Sequence, residues 1–196
     1  MKFQNNAINS KLVFRTNSSY KRWDEARKAW ATIVNNSRTI LRQTAAWIST
    51  ADLPAAEKQR LIRRVANAVW LFPRAEQRHL LSAREDEEAY RSAVRERLPP
   101  ALAEDMVSFE RHRPSRALYE LSSAINEIPI EMFRRVSVDK SVSHLCDAMG
   151  GCDRIFGSPV PVSYTRHTAR FLELWLLFLP LCLWGPLENS WNHIAV

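Results

Sequence analysis

The stretch Ser158–Trp184, SPVPVSYTRHTARFLELWLLFLPLCLW, constrains this chain more than any other. Its second half, Phe171–Trp184, is the one strongly apolar run in the sequence, broken by Glu173 and Pro180. A run of ~10–14 apolar residues is more often a buried core helix than a membrane span, which needs about 20. Pro161 fixes its own φ and suits a helix start, so the helix can begin upstream of the run. From Ser163 to Trp184 an α-helix rises roughly 33 Å at ~1.5 Å per residue. That matches the roughly 30 Å hydrocarbon core of a bilayer. The spacing therefore predicts a transmembrane helix over 163–184. The competing reading is an amphipathic core helix in a soluble bundle.

The polar residues of this helix share a side. At ~100° per residue, Arg166, Arg170 and Glu173 fall within about 60° of one another, with His167 beside them. A charged stripe on a membrane helix is expected to face protein or water, because charge in lipid is costly. Arg170 and Glu173, three residues apart, are placed to pair.

Composition narrows the function classes. The 196-residue chain carries a net charge of +7 and is 46% hydrophobic, with seven tryptophans. Excess positive charge suits nucleic acid, anionic lipid or small anions as partners. Tryptophan suits membrane interfaces or a helical bundle. Four glycines in all leave no phosphate-cradling loop. The three cysteines, Cys146, Cys152 and Cys182, are odd in number and show no paired spacing, so a disulfide framework is not expected. His144 and Cys146 are close, but no second ligand pair follows at zinc spacing, and no metal site or cofactor is expected. The histidines lie far apart in sequence with no nucleophile motif, so the chain reads as a non-enzyme.

Along the chain the apolar spacing is helical throughout, and the fold class is all-α. Residues 1–11 are polar and read as a loop. Tyr20, Trp23, Trp30, Val34, Leu41 and Ile48 recur at multiples of three and four, predicting a long amphipathic helix over 12–50. Glu57–Phe72 is a second helix, stopped by Pro73. Residues 77–98 read as a solvated helix or loop, 101–111 as a short helix and 113–128 as another. Residues 130–149 continue in the same pattern, with Gly150-Gly151 as a helix stop.

Two blocks of residues resemble one known family. GGCDRIFGSPVPVSYTRHTARFL is similar to the pattern G-x-C-E-R-I-x-x-T-P-I-P-L-S-Y-T-R-H-T-S-R-F-L of the bestrophin-like anion channels, in particular their plant and bacterial branch. Cys152, Arg154, Pro159, Pro161, Ser163, Tyr164, Arg166, His167, Arg170 and Phe171 match, while Asp153 stands where Glu is usual. The second block, VFRTNSSYKRWDEARKAW, is similar to L-x-F-R-x-N-x-S-Y-x-R-[WF]-x-E-A-R-x-x-W. There Phe14, Arg15, Asn17, Ser19, Tyr20, Arg22, Trp23, Glu25, Ala26, Arg27 and Trp30 match. Arg111–Pro114 and 139–151 also resemble the family, so the likeness covers about residues 12–187.

The resemblance implies a membrane-associated helical subunit with long amphipathic helices and a cytosolic-side helical bundle, all in one domain over 1–196. Residues 12–50 would end the neck helix and form the long amphipathic helix, 54–150 the bundle, and 158–187 a constriction segment and transmembrane helix. It implies passive transport of chloride and other small anions through a homopentamer embedded in membrane lipid, with no nucleic-acid partner. The pore's neck maps onto Phe14, whose positive ring edge can meet an anion. The two earlier neck positions fall on Ser10 and Asn6. A second constriction maps onto Val160, held extended between Pro159 and Pro161. The plant branch points to the chloroplast thylakoid membrane, and otherwise the plasma membrane is implied. Animal members carry a calcium clasp of acidic residues near the C-terminal membrane helix, at positions beyond this chain, so no calcium site is expected. Both ends depart from the family pattern, which implies a chain holding the middle of a channel subunit, truncated at both ends. The rival reading is a soluble basic helical module binding nucleic acid or an acidic membrane surface.

Overall fold

The computed structural model describes residues 2–81, 84–109, 111–158 and 162–184, with side chains for these other than 2–16, 84–86, 162–165, 167, 168, 183 and 184. Seven helices account for the described secondary structure: α1 Lys2–Thr50, α2 Ala55–Leu80, α3 Arg84–Arg97, α4 Pro100–Ser108, α5 Arg113–Asn126, α6 Met132–Gly157 and α7 Val162–Trp184. The chain divides into two compact units, Met1–Arg22 with Ser158–Val196, and Trp23–Gly157.

The larger unit is built on α2 and α5. Leu61, Val65, Ala68, Val69 and Phe72 repeat at three and four residues along α2 and are buried as one face. α5 presents Ala117, Leu118, Leu121, Ala124 and Ile125 in the same way. The two faces pack on each other, and α6 adds Val138, Val142, Leu145 and Ala148 to the same core. Burying one such aliphatic or aromatic side chain stabilises by ~1.5–3 kcal/mol, so a charge at fully buried Leu121 would break the seam. Ion pairs run along its edge: Arg60 to Glu127 at 3.2 Å, and Arg64 to Glu127 at 3.1 Å and to Glu120 at 3.4 Å. Ile33, Ile40 and Ile48 of α1 are buried at spacings of seven and eight, supplying a third wall.

Four expectations are corrected. Residues 2–11 belong to α1 rather than a loop. α2 does not stop at Pro73 but continues to Leu80. The missing N–H of Pro73 costs one helical bond, while continuing buries Ala75 and Glu76 beside the core. Residues 77–98 are not merely solvated: α3 buries Tyr90 and Val94. Gly150-Gly151 does not stop α6, which runs on to Gly157. At Gly151 an added Cβ would stand 4.0 Å from the Ala29 Cβ, so the pair lies where α6 passes close to α1. Proline marks the starts of three helices: Pro54 precedes α2, Pro99 precedes α4, and Pro114 stands in the first turn of α5.

In the smaller unit, Arg22 donates to the Ser158 carbonyl. α7 carries the apolar run, and Leu174, Leu176, Leu177, Phe178 and Leu181 are each more than half exposed on it. Among the described residues no helix is long and apolar enough to cross a membrane. This corrects the expectation of a span over 163–184. Arg166, Arg170 and Glu173 make the first half of α7 polar, and only the part after Glu173, roughly 16 Å long, is free of charge.

Candidate functional site

The residues singled out in the sequence fall in the smaller unit. The backbone of Phe14 is helical, in α1, but its side chain lies outside the described ones. Val160, with Pro159 and Pro161, lies outside the described residues altogether. On α7, Arg166, Arg170 and Glu173 are exposed, and the side chain of His167 is not among those described. Arg170 and Glu173 form no ion pair with each other, a correction to the expected pairing. An exposed pair gains at most about 1 kcal/mol and must order two long side chains.

The larger unit contains two concentrations of charge that sequence spacing did not reveal. The first is centred on Glu87 of α3. Arg113, at the first position of α5, donates to both of its carboxylate oxygens at 2.9 Å. Arg78 adds a bond of 2.7 Å and Arg91 one of 2.9 Å. These guanidinium groups, Arg113 first, hold the Glu87 carboxyl down to about 2. Arg113 also donates to the carbonyls of Phe109, at 3.0 Å, and Val107, at 3.2 Å, and lies 5.1 Å from the Tyr90 ring centre. The RHRP stretch is thereby a clasp joining α3, the end of α4 and the start of α5.

The second lies where α2, α5 and α6 meet. His79 projects from the last turn of α2, His112 caps α5, and Asp153 comes from α6. Nε2 of His79 is 3.2 Å from Oδ1 of Asp153, and Nε2 of His112 is 3.4 Å from Oδ2. The two imidazoles meet edge to face with centres 4.4 Å apart. Nδ1 of His112 stands 2.9 Å from the Ser115 hydroxyl and 3.3 Å from the Ser115 backbone nitrogen. One turn before His79, Glu76 is fully buried, and neither of its oxygens has a conventional hydrogen-bond partner. Burial, then the charge of Asp153, pushes its carboxyl up to about 7, against a weak contact from the Cys152 thiol. Burial and the same two carboxylates push Cys152 up to about 11. The sequence conceals this cluster because its members lie far apart in the chain, on three different helices. The only signal is the resemblance of the RHRP and C-D-R stretches to the family.

The comparisons with known proteins agree with the fold. A family model described as "Bacterial/Fungal Bestrophin protein" matches residues 7–196. The chain belongs to the bestrophin family. It is 32% identical over 183 residues to voltage-dependent chloride channel 1, chloroplastic, of Arabidopsis thaliana, covering 92% of this chain and 41% of that protein. It is 29% identical to a voltage-dependent anion channel-forming protein of Nostoc sp., covering 94% of this chain and 58% of the relative. Among solved structures, a mutant of a bacterial bestrophin homologue from Klebsiella pneumoniae superposes with a TM-score of 0.81 at 25% identity, over 95% of this chain and 66% of that one. The chain thus spans about two fifths to three fifths of the length of these curated relatives.

Proposed function

We propose that the chain forms part of an anion-channel subunit, mediating passive movement of chloride and other small anions across a membrane. The observation that carries this reading is the family match over 7–196, together with relatives named as chloride and anion channels. A channel needs a constriction and a positive surround, not a nucleophile or a cofactor. In this reading Phe14 lines the neck and Val160 a second constriction, and residues 54–150 form the bundle on the cytosolic or stromal side of one domain. The exposed apolar face of α7 suits lipid or neighbouring helices, and Met132, Phe133 and Val136, exposed on the first turns of α6, suit a second copy in a homopentamer. The compartment is the thylakoid membrane in a plant cell, as the chloroplastic relatives suggest, and the plasma membrane otherwise.

The test is a chimera in which residues 7–196 replace the matching segment of the Nostoc relative, recorded in planar bilayers. Anion-selective current is expected, with Val160→Ala altering conductance or relative permeability while leaving the oligomer's melting unchanged. A chimera that assembles but passes no anions would sink the channel reading. A Val160→Ala variant with normal permeation and a lowered melting temperature would return Val160 to a packing role.

A further inference from the structure

We propose that His79, His112 and Asp153 form a binding site for a divalent transition-metal ion of the zinc type. The inference does not rest on the channel reading. Two imidazole nitrogens and one carboxylate oxygen are the donor set of open zinc sites, which leave a fourth position to water. Ligands in a tetrahedron around zinc, at ~2.05 Å from the ion, stand about 3.3 Å apart. Asp153 stands at that spacing from each histidine through a different oxygen, Oδ1 at 3.2 Å from His79 and Oδ2 at 3.4 Å from His112, so either oxygen can serve as the single carboxylate ligand. All three ligand atoms lie within 4.8 Å of one another, so the His79–His112 separation must close by at most ~1.5 Å.

The hydrogen-bond geometry points the same way. Oδ1 of Asp153 is shielded from solvent and has no hydrogen-bond partner, although an imidazole nitrogen stands 3.2 Å away. Buried polar atoms are rarely left so. The nitrogen and the oxygen thus approach without a donor aimed at the acceptor, and a shared cation would satisfy both.

His112 also has a partner on its far nitrogen. For Nε2 to bind a metal, Nδ1 must carry the proton, and the Ser115 hydroxyl at 2.9 Å is placed to accept it. The cap on the Ser115 backbone N–H, at 3.3 Å the longer of the two contacts, is then given up. Magnesium and calcium prefer all-oxygen shells and are poorly suited to this set. An ion held here would tie α2, α5 and α6 at a single point.

The experiment is titration of the purified full chain in detergent with zinc sulfate, followed by calorimetry and melting, with magnesium as the control ion. Saturable one-to-one zinc binding that raises the melting temperature is expected. His79→Gln and Asp153→Asn should each weaken it at least about tenfold. His112→Asn does the same while preserving a good N-cap, and His144→Ala leaves binding unchanged. Cobalt in place of zinc should give the intense visible absorption of four-coordination. Zinc binding that survives both His79→Gln and Asp153→Asn overturns the proposal, as does no saturable binding. Should the variants fail to fold, a weak six-coordinate cobalt spectrum from the unaltered chain overturns it equally.

Discussion

Glu76 gives a stability prediction whose sign depends on pH. Its carboxyl is fully buried and raised from 4.5 to about 7 in the folded chain. A raised carboxyl is least costly when protonated, so its contribution is intact below ~4.5 and is lost as pH rises towards 7. The shift of 7 − 4.5, about 2.5 pH units, corresponds to ~3 kcal/mol at ~1.36 kcal/mol per unit. Glu76→Gln removes the titration but keeps a buried amide, with an unmet hydrogen-bonding cost of ~1–3 kcal/mol that does not vary with pH. The difference in unfolding free energy between variant and wild type should therefore move by ~3 kcal/mol in the variant's favour between pH 4.5 and 8. The constant amide cost only offsets the line. Urea unfolding in detergent, with chelator present and tryptophan fluorescence as the signal, measures it. A difference that stays level across that range would refute the reasoning, and one of opposite slope would mean Glu76 is stabilised as a carboxylate.

The remaining predictions concern the same unit. Glu87→Gln should destabilise by up to ~3 kcal/mol at pH 7, and the loss should vanish in wild-type comparison as pH falls from 4.5 towards 2, because the depressed carboxyl stabilises only where it would otherwise be ionised; denaturant unfolding at pH 7 and pH 3 checks it. Tyr90 is buried with its hydroxyl unpartnered, so Tyr90→Phe should be neutral or stabilising by ~1 kcal/mol, read as an unchanged or raised melting temperature. Gly150 sits inside α6 with nothing within 4 Å of an added Cβ, so Gly150→Ala should stabilise by ~0.5–1 kcal/mol, again by melting.

Periodicity made the all-α fold legible, because a buried face repeating at three and four residues has one geometric meaning. The stripes Leu61–Val65–Val69–Phe72 and Leu118–Leu121–Ile125 are buried as their spacing requires. Breakers were less legible. Pro73 and Gly150-Gly151 weaken a helix locally, but tertiary burial on both sides of each carried the helix through. Polar residues 2–11 lacked an apolar stripe, so their helix had no periodic signal. For α7, length and apolarity pulled apart: its 23 residues are long enough to span a bilayer, yet Arg166, Arg170 and Glu173 leave too little continuous apolar length. The Glu87 clasp and the histidine–aspartate cluster were illegible for a different reason. Apart from Arg91, one turn along α3, the Glu87 partners lie 9 and 26 residues away, and the cluster's members 33 or more apart, so these contacts exist only after the helices have packed.

The setting of Cys152 also governs thiol reactivity. A thiol raised to about 11 is ionised in only about one molecule in a thousand at pH 8, and its side chain is buried. Cys146 and Cys182 are exposed. A maleimide added to the folded chain therefore meets two exposed thiols, of which partial burial holds Cys146 less ionised than a free thiol, and one that reacts only when α6 lifts from α2. The slow third labelling event becomes a clock for that opening, with no engineered probe.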